Sequence, residues 1–168
     1  MSTIPYWALG LLFWLHLLAT VTWVGSLAAI NLLVMPAARR TLRPPDQLVF
    51  IDAVQKRLEP VAWFSLSVLI VTGLFQMSVN PHYNGFLDTS NRWSIAMLVK
   101  HCLVAMLIVV SAIHTWEVLP ALRRTLLKKD KAKPDELAGL QRRETLLLRT
   151  SLALAVLILA ATAMARAA

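Results

Sequence analysis

Four long apolar stretches, set apart by polar connections, dominate the pattern along the chain. They cover about residues 6–35, 61–79, 93–119 and 146–165. Each meets the roughly 17–25 mostly apolar residues that an α-helix needs to cross a bilayer. A helix satisfies its own backbone hydrogen bonds, which lipid does not do for it. The pattern therefore predicts an all-α fold: an integral-membrane four-helix bundle, up-down-up-down, with residues 1–168 as a single transmembrane domain. The first stretch reads as a span and not as a secretory leader, because it lacks a basic flank and its apolar run is too long.

The connections carry their own signals. Pro44-Pro45-Asp46 can start a helix, and the mixed stretch from Leu48 to Arg57 predicts an interfacial segment before Pro60 redirects the chain. Pro134-Asp135-Glu136 puts a proline and acids where a helix N-terminus favours them, predicting a helix through Gly139 into the fourth span. Lys128–Lys133 reads as a solvated linker. Asn80-Pro81-His82-Tyr83-Asn84-Gly85-Phe86 is rich in turn formers and predicts a short ordered loop. Trp7, Trp14, Trp93 and Tyr83 suit one aromatic belt, and Trp63 and Trp116 the other. No internal repeat of recognisable period stands out.

Composition agrees with the pattern. The chain is 58% hydrophobic and 15% charged, against about 45–50% and about 25% in soluble domains. The net charge of +8 is concentrated in two connections. One holds Arg39, Arg40, Arg43, Lys56 and Arg57; the other holds Arg123, Arg124, Lys128, Lys129, Lys131, Lys133, Arg142 and Arg143. The positive-inside rule places both in the cytoplasm and both termini outside. Anionic lipid headgroups of the bilayer are the expected partner of this basic surface. Nucleic acid is not, since no aromatic-interleaved basic module accompanies the charge. The lone Cys102 supports neither an intramolecular disulfide nor a cysteine-based zinc site.

Ionisable groups at bilayer depth are costly and usually have a partner or a task. His16 stands in a run that continues to Met35 without an acidic or basic side chain. It lies nine positions beyond Trp7, roughly 13 Å in at ~1.5 Å per residue. His101, eight positions beyond Trp93, lies roughly 12 Å in on a span of the same direction. Two imidazoles at one depth on different helices are what an axially ligated haem b requires. Thr20, Trp23 and Leu27 share the face of His16; Met97, Ala105, Ile108 and Ala112 share that of His101. Lys100 points about 100° away from His101, on the face of Trp93, Ser111 and His114. It can pair with a haem propionate, ligate a metal or snorkel. His114 and Glu117 can form an ion pair or a proton-handling couple.

The site residues therefore sort into alternatives. In the first, His16 and His101 hold haem iron, with Lys100 and His114 as further cofactor-binding residues, in a protein of electron transfer or haem-dependent oxidation. A quinone or a redox protein would then be its partner. In the second, Met97 and His101, four apart on one face, join Met77 as soft ligands for copper transport. In the third, the histidines only hydrogen-bond, and the chain anchors a larger complex or forms a homo-oligomer.

Leu15-His16-Leu17-Leu18 followed by Trp23-Val24-Gly25 resembles the first helix of the CopD-type membrane domain, which the HemJ-type protoporphyrinogen oxidases share. Lys56-Arg57-Leu58 leading to Val71-Thr72-Gly73-Leu74 resembles the second helix. Trp93, Lys100 and then Pro120-Ala121-Leu122-Arg123 are similar to the third. The resemblance implies a four-helix protein of the bacterial inner membrane, associated with copper uptake in one branch and haem b in the other. In the haem branch a first-helix histidine and a third-helix lysine are the functional pair, which carries over to His16 and Lys100. A further third-helix histidine of that branch falls near His114 but out of register. This sequence departs from the pattern in placing His101 beside the lysine. It also lacks an arginine near the inner half of the first helix, where the oxidase branch has one.

Overall fold

The computed structural model describes residues 5–127 and 134–168, so the linker expected at Lys128–Lys133 lies outside the described residues. Among these, every regular element is helical. Helix α1 (Tyr6–Ala28) passes through a π-helical turn, Ala29–Val34, into the short α2 (Met35–Thr41). Helix α3 spans Pro44–Ser78. Helix α4 (Arg92–Ile113) continues through a second π-helical turn, His114–Val118, into α5 (Leu119–Leu127), and α6 runs over Pro134–Ala167. These make four rods long and apolar enough to cross a membrane. The chain is a multi-pass membrane protein with an up-down-up-down bundle. One end carries the basic connections; the other carries the loop from Val79 to Asn91.

Pro60 does not redirect the chain: α3 continues through it as one helix of 35 residues. Proline removes one backbone bond, whereas ending the helix next to lipid exposes several. The two π-helical turns have a common cause. Each ends two positions before a proline, Pro36 or Pro120. Proline cannot donate the i→i−4 bond and its ring crowds that carbonyl, and widening the preceding turn relieves both problems.

That coincidence reveals a repeat hidden in the sequence. Val34-Met35-Pro36-Ala37-Ala38-Arg39-Arg40-Thr41-Leu42 and Val118-Leu119-Pro120-Ala121-Leu122-Arg123-Arg124-Thr125-Leu126 agree at seven of nine positions. Pro45-Asp46-Gln47-Leu48 and Pro134-Asp135-Glu136-Leu137 follow. The expectation of no repeat is therefore corrected: the bundle is a helical hairpin used twice. The repeat escapes a fixed-period search because the second copy has a longer connection before Pro134. Packing obeys the duplication, with α1 closely packed on α3 and α4 on α6. The two hairpins meet through Trp23, Leu66, Leu107 and Leu154, one buried residue from each rod. At the basic end the repeated arginines reach across: Arg39 donates to Thr145 Oγ1 (2.6 Å), and Arg123 to Asp52 Oδ1 (2.5 Å).

Aromatic residues divide differently from the belts expected. Trp93 is buried with Met77, Ala96 and Ala165, and Tyr83 packs against that cluster. Trp7, Trp14 and Trp116 remain exposed.

The loop before α4 is latched by Asp88. Its carboxylate accepts from the Ser90 amide (3.0 Å), the Ser90 hydroxyl (2.8 Å) and the Ser94 hydroxyl (2.9 Å). Asn91 caps α4 by accepting from the Ser94 amide (2.7 Å). These bonds, that of the Ser90 hydroxyl foremost, hold the Asp88 pKa below its ordinary value of 3.8. An acid depressed in the fold stabilises above its unfolded pKa, and that contribution is lost as pH falls through the folded value. The latch should thus stay closed at neutral pH and open only on acidification below 3.8. Titration of the Asp88 carboxyl carbon by NMR should give a midpoint under that value; an ordinary midpoint would refute the latch.

Candidate functional site

His16 is fixed from the opposite rod of its own hairpin. Its Nδ1 lies 2.8 Å from Thr72 Oγ1 on α3. The Thr72 hydroxyl has one proton, and it goes to the Val68 carbonyl at 2.6 Å. The oxygen therefore accepts from His16, so Nδ1 carries the ring proton and Nε2 is left with its lone pair. This is how ligating histidines are held: the far nitrogen donates to an oxygen, and the near one is presented to a metal.

Gly73 supplies the space for the ring. A Cβ there would stand 3.3 Å from His16 Cε1, a tighter contact than side chains ordinarily make. Gly73→Val should push the imidazole off Thr72 and unfix its tautomer. The His16 ring nitrogens, followed by NMR, should shift in this variant and stay unchanged in Gly25→Val, where a Cβ meets nothing.

Lys100 is the basic group that the fold brings to His16; the two lie within electrostatic reach of each other. Helix register explains it. His16 stands seven residues before Trp23, and Lys100 seven before Leu107, and Trp23 and Leu107 meet in the central core. Seven residues make nearly two turns, so both groups sit on core-facing sides about 10 Å from that core. The repeat says the same, since each stands twenty residues before its proline, Pro36 or Pro120.

His101 is not brought to this station. Its Nδ1 donates to the Met97 carbonyl at 2.6 Å, and its ring packs edge-on against Phe86, centroids 4.9 Å apart. No hydrogen bond or ring contact joins the imidazoles of His16 and His101 among the described residues. His101 stands one position past Lys100, and one position along a helix turns a side chain about 100°. Met97 packs with Met77 and Trp93. Ala105, read as room for a macrocycle, lies on an exposed face. His114 shares the face of Lys100 but lies on the other side of the core. Its expected pairing with Glu117 is replaced: Arg143 bonds Glu117 at 2.9 Å, and His114 Nε2 is buried without a partner. No group of three or more His, Cys, Asp or Glu gathers for a metal ion among the described residues. Sequence reasoning missed Thr72 and Gly73 as parts of the site. The signal available for them was the Val71-Thr72-Gly73-Leu74 string.

The family model described as CopD, copper resistance protein D, matches residues 52–164. The chain belongs to the copper resistance protein D family. No curated protein and no solved structure matches it. In this CopD chain the matched segment contains Thr72, Gly73 and Lys100, and His16 is added by the helix before it.

Proposed function

We propose that this CopD-family chain is a haem b protein of the bacterial inner membrane, related to the HemJ type and acting in electron transfer or haem-dependent oxidation. The observation that carries the reading is His16 with its Nδ1 proton committed to Thr72 and its Nε2 lone pair left over. The donor set fits the group. His16 would hold the haem iron, and the Lys100 ammonium would pair with an anionic propionate or, deprotonated, would serve as a further ligand. A cation beside the site suits a carboxylate-bearing macrocycle and opposes a bare metal ion. When bound, haem b supplies one-electron chemistry. Thr72 orients the ligand, Gly73 makes room for it, and the apolar core below excludes water. Both basic connections are read as cytoplasmic, against anionic lipid headgroups.

A second reading is copper handling. It is supported by the family's description and by Met77 and Met97, whose thioethers share one cluster and suit Cu(I). The absorption spectrum of the purified protein separates the readings. A Soret band, with sharp visible bands on reduction, is the expected result. A colourless protein that retains copper through detergent exchange would replace it with the second reading. A colourless, metal-free protein would leave only an anchoring role.

A further inference from the structure

A second polar station lies beyond the core from His16, at the basic end of the bundle. Here a cavity is walled by Trp23, Leu27, Trp63 and Leu66, with Ser111 and Ser151 in its lining. Two polar atoms in that lining are buried without hydrogen-bond partners, His114 Nε2 and Gln55 Oε1. The Gln55 amide nitrogen is committed to Glu144 Oε1 at 2.6 Å, so the orphaned oxygen is fixed in place. Buried polar atoms are rarely left unpaired, because each unmade bond carries the full desolvation cost. A largely apolar cavity with a few convergent polar groups is the usual form of a small-molecule site.

We propose that this cavity binds the headgroup of a lipid-soluble quinol. The amide oxygen can only accept, and a histidine Nε2 bearing a lone pair also accepts. Two acceptors in an apolar cavity call for a ligand with two hydroxyl donors on an otherwise apolar body, and a hydroquinone ring is that ligand. In the oxidised form the other histidine tautomer donates from Nε2 to a quinone carbonyl. The entrance supports a ligand arriving from the bilayer. Trp63 of α3 stacks on exposed Trp116, centroids 5.6 Å apart and planes within 12°. This pair stands between two rods of different hairpins, where an aromatic ring can enter from the side. The site needs nothing from His16 and stands whatever that residue holds.

The test uses the full chain in lipid nanodiscs with a photoreactive azido-ubiquinol analogue. A diazirine-bearing alkyl chain without a ring serves as the control probe. The quinol probe should label the segments around Trp63 and His114, and unlabelled decylubiquinol should compete. His114→Ala should reduce labelling about tenfold, the value of one buried hydrogen bond. Since it removes an atom that bonds nothing, the fold should be kept, as checked by thermal melting. Ser111→Phe should abolish labelling by filling the cavity. Equal labelling by the ringless probe, or labelling indifferent to both variants, would show a lipid-filled or water-filled cavity and overturn the proposal. Loss of haem from a His16 variant with quinol labelling intact would leave it standing.

Discussion

On the haem reading, His16→Ala should strip the cofactor from the purified protein while leaving the bundle folded. The imidazole makes one side-chain hydrogen bond, to Thr72, and Thr72 keeps its own bond to Val68 when the ring is gone. The structural cost is therefore small and the cost to ligation is complete. Thr72→Val is the milder companion. It keeps the imidazole but removes the acceptor that fixes its tautomer, and should weaken retention by about 10–100-fold, as outer-shell changes at metal sites do. The neighbours on α4 then separate by role. Lys100→Ala should shift the low-spin electron spin resonance signals or loosen the propionate, whereas His101→Ala should leave the spectrum unchanged. Retained haem with an unaltered spectrum in His16→Ala would remove that residue as a ligand. A spectrum altered by His101→Ala instead would mean that its ring leaves Phe86 and the Met97 carbonyl to bind iron.

The four spans were legible because apolar length is a strong signal and lipid leaves the chain few alternatives. How far along its own helix each of His16 and His101 stands was legible too, since a helix rises regularly. The azimuth was not. Which side of α4 faces the core depends on Leu107, fully buried, and the run from Leu103 to Val110 is apolar throughout, so hydrophobicity alone marks no inner face. The repeat would have supplied the missing angle, because it sets Lys100 and not His101 opposite His16. It was masked by the longer connection of the second hairpin. The proline in α3 misled for a related reason. Rules for its effect come from helices whose ends water can solvate, and α3 has none to spare.

Gln55 and Glu144 give the duplication an energetic consequence. Each stands ten residues after the proline of its Pro-Asp pair, Pro45 or Pro134, so the two face each other at equivalent places. Both are buried, 3% and 1% exposed, and joined at 2.6 Å. An amide opposite an acid makes a bond whether or not the acid is ionised. Glu144→Gln should therefore be tolerated, because a carbonyl oxygen still accepts from the Gln55 amide. Gln55→Leu strands the carboxyl in an apolar interior and should cost about 1–3 kcal/mol or more. Replacing both residues by leucine should recover most of that loss, since removing two partners together leaves no unmet group. Gln55→Glu should be the worst single change at neutral pH, setting two carboxyls face to face so that one must hold a proton. Its deficit should shrink on acidification, when a shared proton restores the bond. Thermal melting in detergent across pH reads all four variants. Equal stability of Gln55→Leu and the parent would show that water already serves Glu144, and the amide would then be there for the cavity alone.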